Sequence, residues 1–418
     1  MEGEMIIASS PVDTGVNSWG LNSGTKLLNY KVCSSPRHGL TSVGSRFIAS
    51  SQIPASRSAS TAPIYFWSWD KPQFGVKSFP AEPIGPLTAN SEGTYLMGGG
   101  SSGSIYLWEV ASGKLLNKWH AHYRSVTCLA LSDDESLLIS GSDDGCVRVW
   151  NLIMIFDALK AQSGLSYLYS WTEHALRVTD IVVGRGLSNS IIISSSEDRT
   201  CKIFSLSEGK IMRSIPLDSV ADALAIDPGE HRFYAGCRDG KIYIKSLNAE
   251  NNPTIGILFD HSVAVTSIAC RDGTTLVSGS EDGIIRIWDI MTQHVVRVLK
   301  HAKAPISNVL LVKPTRQGTN LAHQPPLSKY VDSSEGDLGR NIVILPQPCW
   351  KPNFLSSGLM GRQLKEFQEN NSSAVAEMEV ERLRIENKKL VEMAEKWKKL
   401  CQDQQSFYVK ELLDHTKP

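Results

Sequence analysis

Short strand-like runs recur along the chain at near-constant spacing: SIYLW ending at Trp108, CVRVW at Trp150, CKIF at Phe204, KIYIK at Lys245 and IIRIW at Trp288. Their ends lie 42, 54, 41 and 43 residues apart. PIYFW ending at Trp67 stands 41 residues before Trp108, and VNSW ending at Trp19 stands 48 before that, which makes seven units. A fixed period constrains a fold more than any single motif, because each unit must be one module that buries its faces against its neighbours. The residues just after the tryptophan repeat as well: GLNSGTKLL after Trp19 and EVASGKLL after Trp108.

Within a unit the grammar is that of short strands. VTCLAL (126–131) runs into the turn SDDES, SLLISGS comes next, then DDG, then CVRVW. Each strand-like run is bounded by turn formers. Four strands in about 40 to 45 residues is the pattern of a propeller blade. These units resemble WD40 repeats, whose pattern runs from a His, through a Ser or Thr in the second strand, to an Asp six residues before a Trp. His122, Asp144 and Trp150 fit it, as do His261, Asp282 and Trp288; His174 and Asp198 fit with Phe204 in the Trp place. Ser102 and Lys245 replace family residues, and the first two units keep little beyond the Trp.

Trp19 lies too near residue 1 for its unit to have its own first strand. At the far end ISNVLLV (306–312) comes after His301 with a first-strand pattern and no second strand after it. If this strand completes the unit begun by MIIASS, the ring closes and no sheet edge is left over. The expected fold is all-β: a seven-bladed WD40 propeller over residues 1–313, closed by a C-terminal strand, then an extended arm (314–357) and a C-terminal coiled-coil helix (358–418).

The doubled GSDDGCVRVW and GSEDGIIRIW raise the possibility of acid/base or metal chemistry. The WD40 resemblance implies instead a hydrogen-bonded chain of Asp144, His122, Ser140 or Ser142, and Trp150, repeated with Asp282, His261, Ser278 or Ser280, and Trp288. A nucleophilic triad needs an exposed hydroxyl beside an oxyanion site, and catalytic constellations do not usually recur once per repeat. Asp143 and Asp144 lack further ligands at a metal-binding spacing. No GxxxxGK[ST], HExxH or GxSxG occurs. No catalytic residue, metal or cofactor is assigned.

Function is therefore sought where the repeat breaks. The 54-residue step carries about a dozen extra residues, mostly 153–163, a short helix or apolar loop. Its Ile153, Met154, Ile155 and Phe156 either tuck against the blade or form a partner hot spot. The stretch KPTRQGTNLAHQPPLSKYVDSSEGDLGR reads as a linker or a surface-wrapping arm. The apolar run at Ile342–Leu345 is expected to dock on the propeller or a partner. Beyond it Leu383, Leu390 and Trp397 stand seven apart, with Met393 and Leu400 three after the last two, as in a narrow coiled-coil seam. Glu379 and Glu386 weaken that seam. The helix either pairs with another helix, its own copy or a partner's, or lies back on the propeller.

Lys plus Arg and Asp plus Glu each total 43, so no global positive field exists to hold nucleic acid, and no sequence-specific contact with it is expected. No stretch approaches the roughly 20 apolar residues of a membrane helix. Eight scattered cysteines without a CxxC pair read as reduced core residues in an intracellular compartment.

MIIASS, NSWGLNSGTKLLNYK, YLWEVASGKLLNKWHAHYRSVTCL and ENKKLVEMAEKWKKL together resemble the WD40 subunit of the nuclear complex that processes internal-transcribed-spacer pre-rRNA and matures the large ribosomal subunit. The resemblance implies a non-enzymatic scaffold in nucleolus and nucleoplasm. It would assemble on the pre-60S particle with a helical-repeat subunit, upstream of an AAA-type remodelling ATPase. It also implies pairing of two copies through Leu383, Leu390, Met393, Trp397 and Leu400 and, for a plant member, support of cell proliferation and organ initiation. The competing reading is a substrate receptor of a cullin-type ubiquitin ligase. Such receptors usually carry a Trp-Asp-x-Arg box, whereas WNLI at Trp150 and WDIM at Trp288 lack the Arg.

Overall fold

The computed structural model describes residues 4–44, 46–54, 56, 61–156, 167–186, 190–248, 254–301, 304–313 and 325–330. They form seven antiparallel four-stranded sheets. The second blade is β4 (Leu40–Val43) to β7 (Phe74–Ser78), the third β8 (Ile84–Ala89) to β11 (Leu115–His120) and the fourth β12 (Val126–Leu131) to β15 (Tyr169–Trp171). The fifth is β16 (Val178–Val183) to β19 (Lys210–Pro216), the sixth β20 (Ala221–Ile226) to β23 (Thr254–Phe259) and the seventh β24 (Val265–Cys270) to β27 (His294–Lys300). Among the described residues the one helix is α1 (Leu152–Phe156), between the third and fourth strands of the fourth blade.

The first blade has the order β28-β1-β2-β3, with β1 (Met5–Ser9), β2 (Val16–Gly20), β3 (Lys26–Tyr30) and β28 (Asn308–Val312). Strand β28 pairs antiparallel with β1 from Met5↔Val312 to Ser9↔Asn308, so the last propeller strand becomes the innermost strand of the first sheet. The expected closure is the one observed.

Blades mesh because the second strand of several carries a glycine where the next blade's first strand presses in. A Cβ on Gly141 would come within 2.8 Å of Val178 and Ile181, and one on Gly279 within 2.8 Å of Ile306 and Val309. Gly99 and Gly236 meet Val126 and Val265 in the same way. The glycines of GSDDG and GSEDG thus have separate tasks. Gly141 and Gly279 admit the neighbouring blade, whereas Gly145 and Gly283, both at φ +77°, turn the chain through a region that side chains disfavour.

The connector to β4 reaches across the ring. Pro36 carbonyl accepts from Asn308 Nδ2 (2.8 Å) and His38 carbonyl from Leu87 N–H (2.8 Å). His38 Nε2 donates to Thr179 carbonyl (3.1 Å), and Arg37 pairs with the buried Asp222 (2.9 Å). One short segment therefore ties itself to the first, third, fifth and sixth blades. Asp222 also holds Arg238 at 2.9 Å. Burial opposes its charge, yet these two guanidiniums keep its pKa below the ordinary carboxylate value.

Candidate functional site

The fourth blade contains a directed hydrogen-bond chain. Trp150 Nε1–H donates to Ser140 Oγ (2.9 Å), and Ser140 Oγ lies 2.8 Å from His122 Nε2. His122 Nδ1 lies 3.3 Å from Asp144 Oδ2. A neutral imidazole protonated on Nδ1 satisfies every link: Ser140 accepts from Trp150 and donates to His122, which donates to Asp144. Burial holds His122 below its ordinary pKa despite Asp144. Burial opposes the charge of Asp144 too, but hydrogen bonds from His122 and the Cys146 and Tyr123 amides hold its carboxyl well below the usual range. The first aspartate of the pair, Asp143, faces elsewhere: it meets Arg177 Nε at 3.1 Å, ahead of the next blade.

In the fifth blade His174 Nε2 lies 2.7 Å from Ser194 Oγ and Nδ1 lies 3.0 Å from Asp198. Phe204 occupies the Trp place and stacks on Trp171, centroids 4.4 Å apart. The seventh blade differs from the expected pattern. Trp288 and His261 both reach Ser278 (2.8 and 2.7 Å), but Arg286 Nη1 sits between His261 Nδ1 (2.6 Å) and Asp282 (3.3 Å). The expected direct His261 to Asp282 link is therefore replaced. The cause is Asp260, whose carboxylate and carbonyl hold the Arg286 guanidinium inward. In the fourth blade Ala121 precedes the histidine; its carbonyl also accepts from Arg148, but it offers no carboxylate, and the Arg148 guanidinium lies over the Tyr123 and Tyr167 rings. Since Arg286 only donates, His261 Nδ1 must accept and Nε2 carries the proton, the opposite tautomer to His122.

Burial, then Arg286, push the His261 pKa down to about 4, below the ordinary value of about 6.5. The unfolded chain takes up its proton first as pH falls, so this group withdraws stability between about pH 6.5 and 4, on the order of 3 kcal/mol in all. His174 and His301 shift in the same direction, burial being the main cause. Thermal melts from pH 7.5 to 4.5 should show falling midpoints, and His261→Gln, which cannot titrate, should flatten the slope.

Ser140, Ser194 and Ser278 are buried, so none presents a hydroxyl to a substrate. Among the described residues no group of three or more His, Cys, Asp or Glu side chains is placed to hold a metal ion. The two remaining repeat positions flagged in the sequence have their own solutions. Buried Lys245 donates to Thr254 Oγ1 (2.6 Å), and Ser102 joins Ser101 and Tyr106 around the Glu82 carboxylate.

Surfaces that break the repeat are more informative. Asn151 Oδ1 caps α1 by accepting from the Ile153 and Met154 amides (2.9 and 3.4 Å). The helix splits the expected foursome. Ile155, 2% exposed, joins the core and Phe156 packs on Tyr95, whereas Ile153 is 69% exposed and Met154 also faces outward. Pro325–Tyr330 lies against the third blade, where Leu327 is buried beside Phe66, Trp108 and Leu115. Sequence reasoning places arm docking at Ile342–Leu345 and misses Leu327. Ile342–Leu345 lies outside the described residues, as do Leu383, Leu390, Met393, Trp397 and Leu400.

The family model for the WD domain, G-beta repeat, matches residues 113–151 and 252–289. These stretches end in the two blades where Ser, His and Trp share hydrogen bonds. The chain is 48% identical to Protein ROOT INITIATION DEFECTIVE 3 of Arabidopsis thaliana, over 94% of this chain and 95% of that one. It is 30% identical to WD repeat-containing protein 18 of Homo sapiens, over 70% and 69%. It is 33% identical to Pre-rRNA-processing protein IPI3 of Yarrowia lipolytica, over 64% and 65%. The crystal structure of the WD40 beta propeller domain of Doa1 matches with a TM-score of 0.53 at 20% identity, covering 67% of this chain and 87% of that one, a likeness of fold alone. The chain belongs to the WD40-repeat family that includes ROOT INITIATION DEFECTIVE 3 of Arabidopsis thaliana and WD repeat-containing protein 18 of Homo sapiens.

Proposed function

We propose that this protein is a non-catalytic scaffold of a nuclear and nucleolar complex that processes pre-rRNA and matures the large ribosomal subunit, supporting cell proliferation and organ initiation. The observation that carries this reading is the 48% identity over 94% of this chain and 95% of its Arabidopsis thaliana relative. The pre-rRNA-processing relative supplies the process. A rigid ring whose recurring polar trios are buried structural ties is suited to holding partners. The partners proposed are a helical-repeat assembly-factor subunit, the pre-60S particle and an AAA-type remodelling ATPase. Residues 314–357 serve as the arm and 358–418 as a helix pairing two copies through Leu383, Leu390, Met393, Trp397 and Leu400.

Affinity purification from nuclear extract tests the reading. Large-subunit assembly factors and precursor rRNA should co-elute, whereas a cullin adaptor in their absence would sink it. The Ile153→Asp/Met154→Asp variant should lower partner recovery about tenfold with an unchanged melting midpoint, since both side chains already face solvent. Leu390→Asp/Trp397→Asp should halve the mass read by light scattering.

A further inference from the structure

The third blade departs from the fourth at the serine that its tryptophan would use, and this departure opens a slot. Gly98 pairs with Tyr106 in the register in which Ser140 pairs with Arg148, so the third blade has no hydroxyl for its tryptophan. A Cβ on Gly98 would come within 3.0 Å of the Trp108 ring and 2.8 Å of Ile84, so the ring occupies the space a larger residue would fill. The Trp108 indole N–H donates instead to Ser328 carbonyl (3.0 Å).

Two further main-chain contacts hold the same segment. Leu327 N–H donates to Ser78 Oγ (3.0 Å), and Ser328 N–H donates to Gly113 carbonyl (2.7 Å). A Cβ on Gly113 would come within 2.5 Å of the Pro326 carbonyl oxygen, so the close approach needs glycine there. Leu327, 5% exposed, fills an apolar pocket made by the second and third blades. The slot thus reads an extended backbone and one leucine. Pro325 and Pro326 restrict the preceding backbone to extended geometry and reduce the ordering cost.

We propose that this slot is a reversible docking site for extended Pro-Pro-Leu-Ser peptides, and that Pro325–Ser328 is its intramolecular ligand. One buried leucine and three hydrogen bonds stand against the ordering of the segment, so attachment depends on tethering. Eleven residues separate Lys313 from Pro325, so the segment competes for the slot as part of the same chain, an advantage that a free peptide lacks. A partner peptide of the same pattern can enter only where the arm has left, so the arm guards the slot.

The test uses the full chain and a fluorescent peptide of residues 322–332, AHQPPLSKYVD. The peptide should bind the Leu327→Asp chain, whose own arm cannot dock, at least tenfold more tightly than the wild type. Adding Trp108→Phe should weaken that binding about fivefold; Phe204 in the fifth blade shows that a blade accommodates phenylalanine at this register. Equal binding to both chains, no binding to either, or no effect of Trp108→Phe overturns the proposal. Leu327→Ser serves as a second opened chain without added charge. If both changes at Leu327 abolish the cooperative melt, the segment is an integral part of the ring and the proposal is overturned as well.

Discussion

Replacing Val309 with Asp should abolish cooperative folding of the whole ring. Val309 lies on the closing strand, opposite Ala8, with its Cγ2 against the bare Cα of Gly279 in the seventh blade. It shares a buried cluster with Ile6, Ile285, Ile287 and Ile306, so the carboxylate would enter apolar space with no cation in the cluster. An unpaired charge there costs more than about 4 kcal/mol. That is a large share of the 5–15 kcal/mol a typical domain holds, and the loss falls on the one joint among the described residues that pairs strands about 300 residues apart. The amide of Val309, which donates to Ser267 Oγ (2.9 Å), links the same joint to the seventh blade. The variant should show no sigmoidal melt and should partition to the insoluble fraction. Val296→Asp, on the outer strand of the seventh blade and 65% exposed, should melt within about 0.5 kcal/mol of wild type. A normal melt for Val309→Asp would mean that the ring does not depend on its closing strand.

The repeat was legible because its signals are local: turn residues, alternating strands and a tryptophan at a fixed register. The choice between Ser140 and Ser142 was not, because two residues of the same parity point to the same face of a strand. The structure separates them along the strand. Ser140 meets Trp150 and His122, whereas Ser142 reaches the Arg124 carbonyl and the Asp144 amide. The inward turn of Arg286 depends on Asp260, and its only trace in the sequence is that Asp precedes His261 where Ala precedes His122. The Leu327 anchor lay inside linker-like composition; its sign was at a distance, in a glycine at position 98 that left Trp108 without its hydroxyl. Long-range contacts of this kind have no sequence period to announce them.

Removing the hydroxyl of Ser140 should cost about 3 kcal/mol, unusually much for one oxygen atom. Ser140→Ala leaves the Trp150 N–H without an acceptor and His122 Nε2 without a donor, both buried. Each orphaned group costs roughly 1–3 kcal/mol. Ser278→Ala should cost about the same, since Trp288 and His261 both converge on that oxygen. Ser194→Ala should cost only about 1–2 kcal/mol, because Phe204 carries no N–H and only His174 loses a partner. Urea midpoints of the three variants should therefore separate into two large shifts and one small one. The same account requires Ser140→Ala and Trp150→Phe to be non-additive: once the indole N–H is gone, losing the hydroxyl orphans one group instead of two. The double variant should cost about 1 kcal/mol less than the sum of the singles. Strict additivity would mean that Trp150 and Ser140 stabilise the blade independently, and that the fourth blade gains nothing from joining them that the fifth lacks.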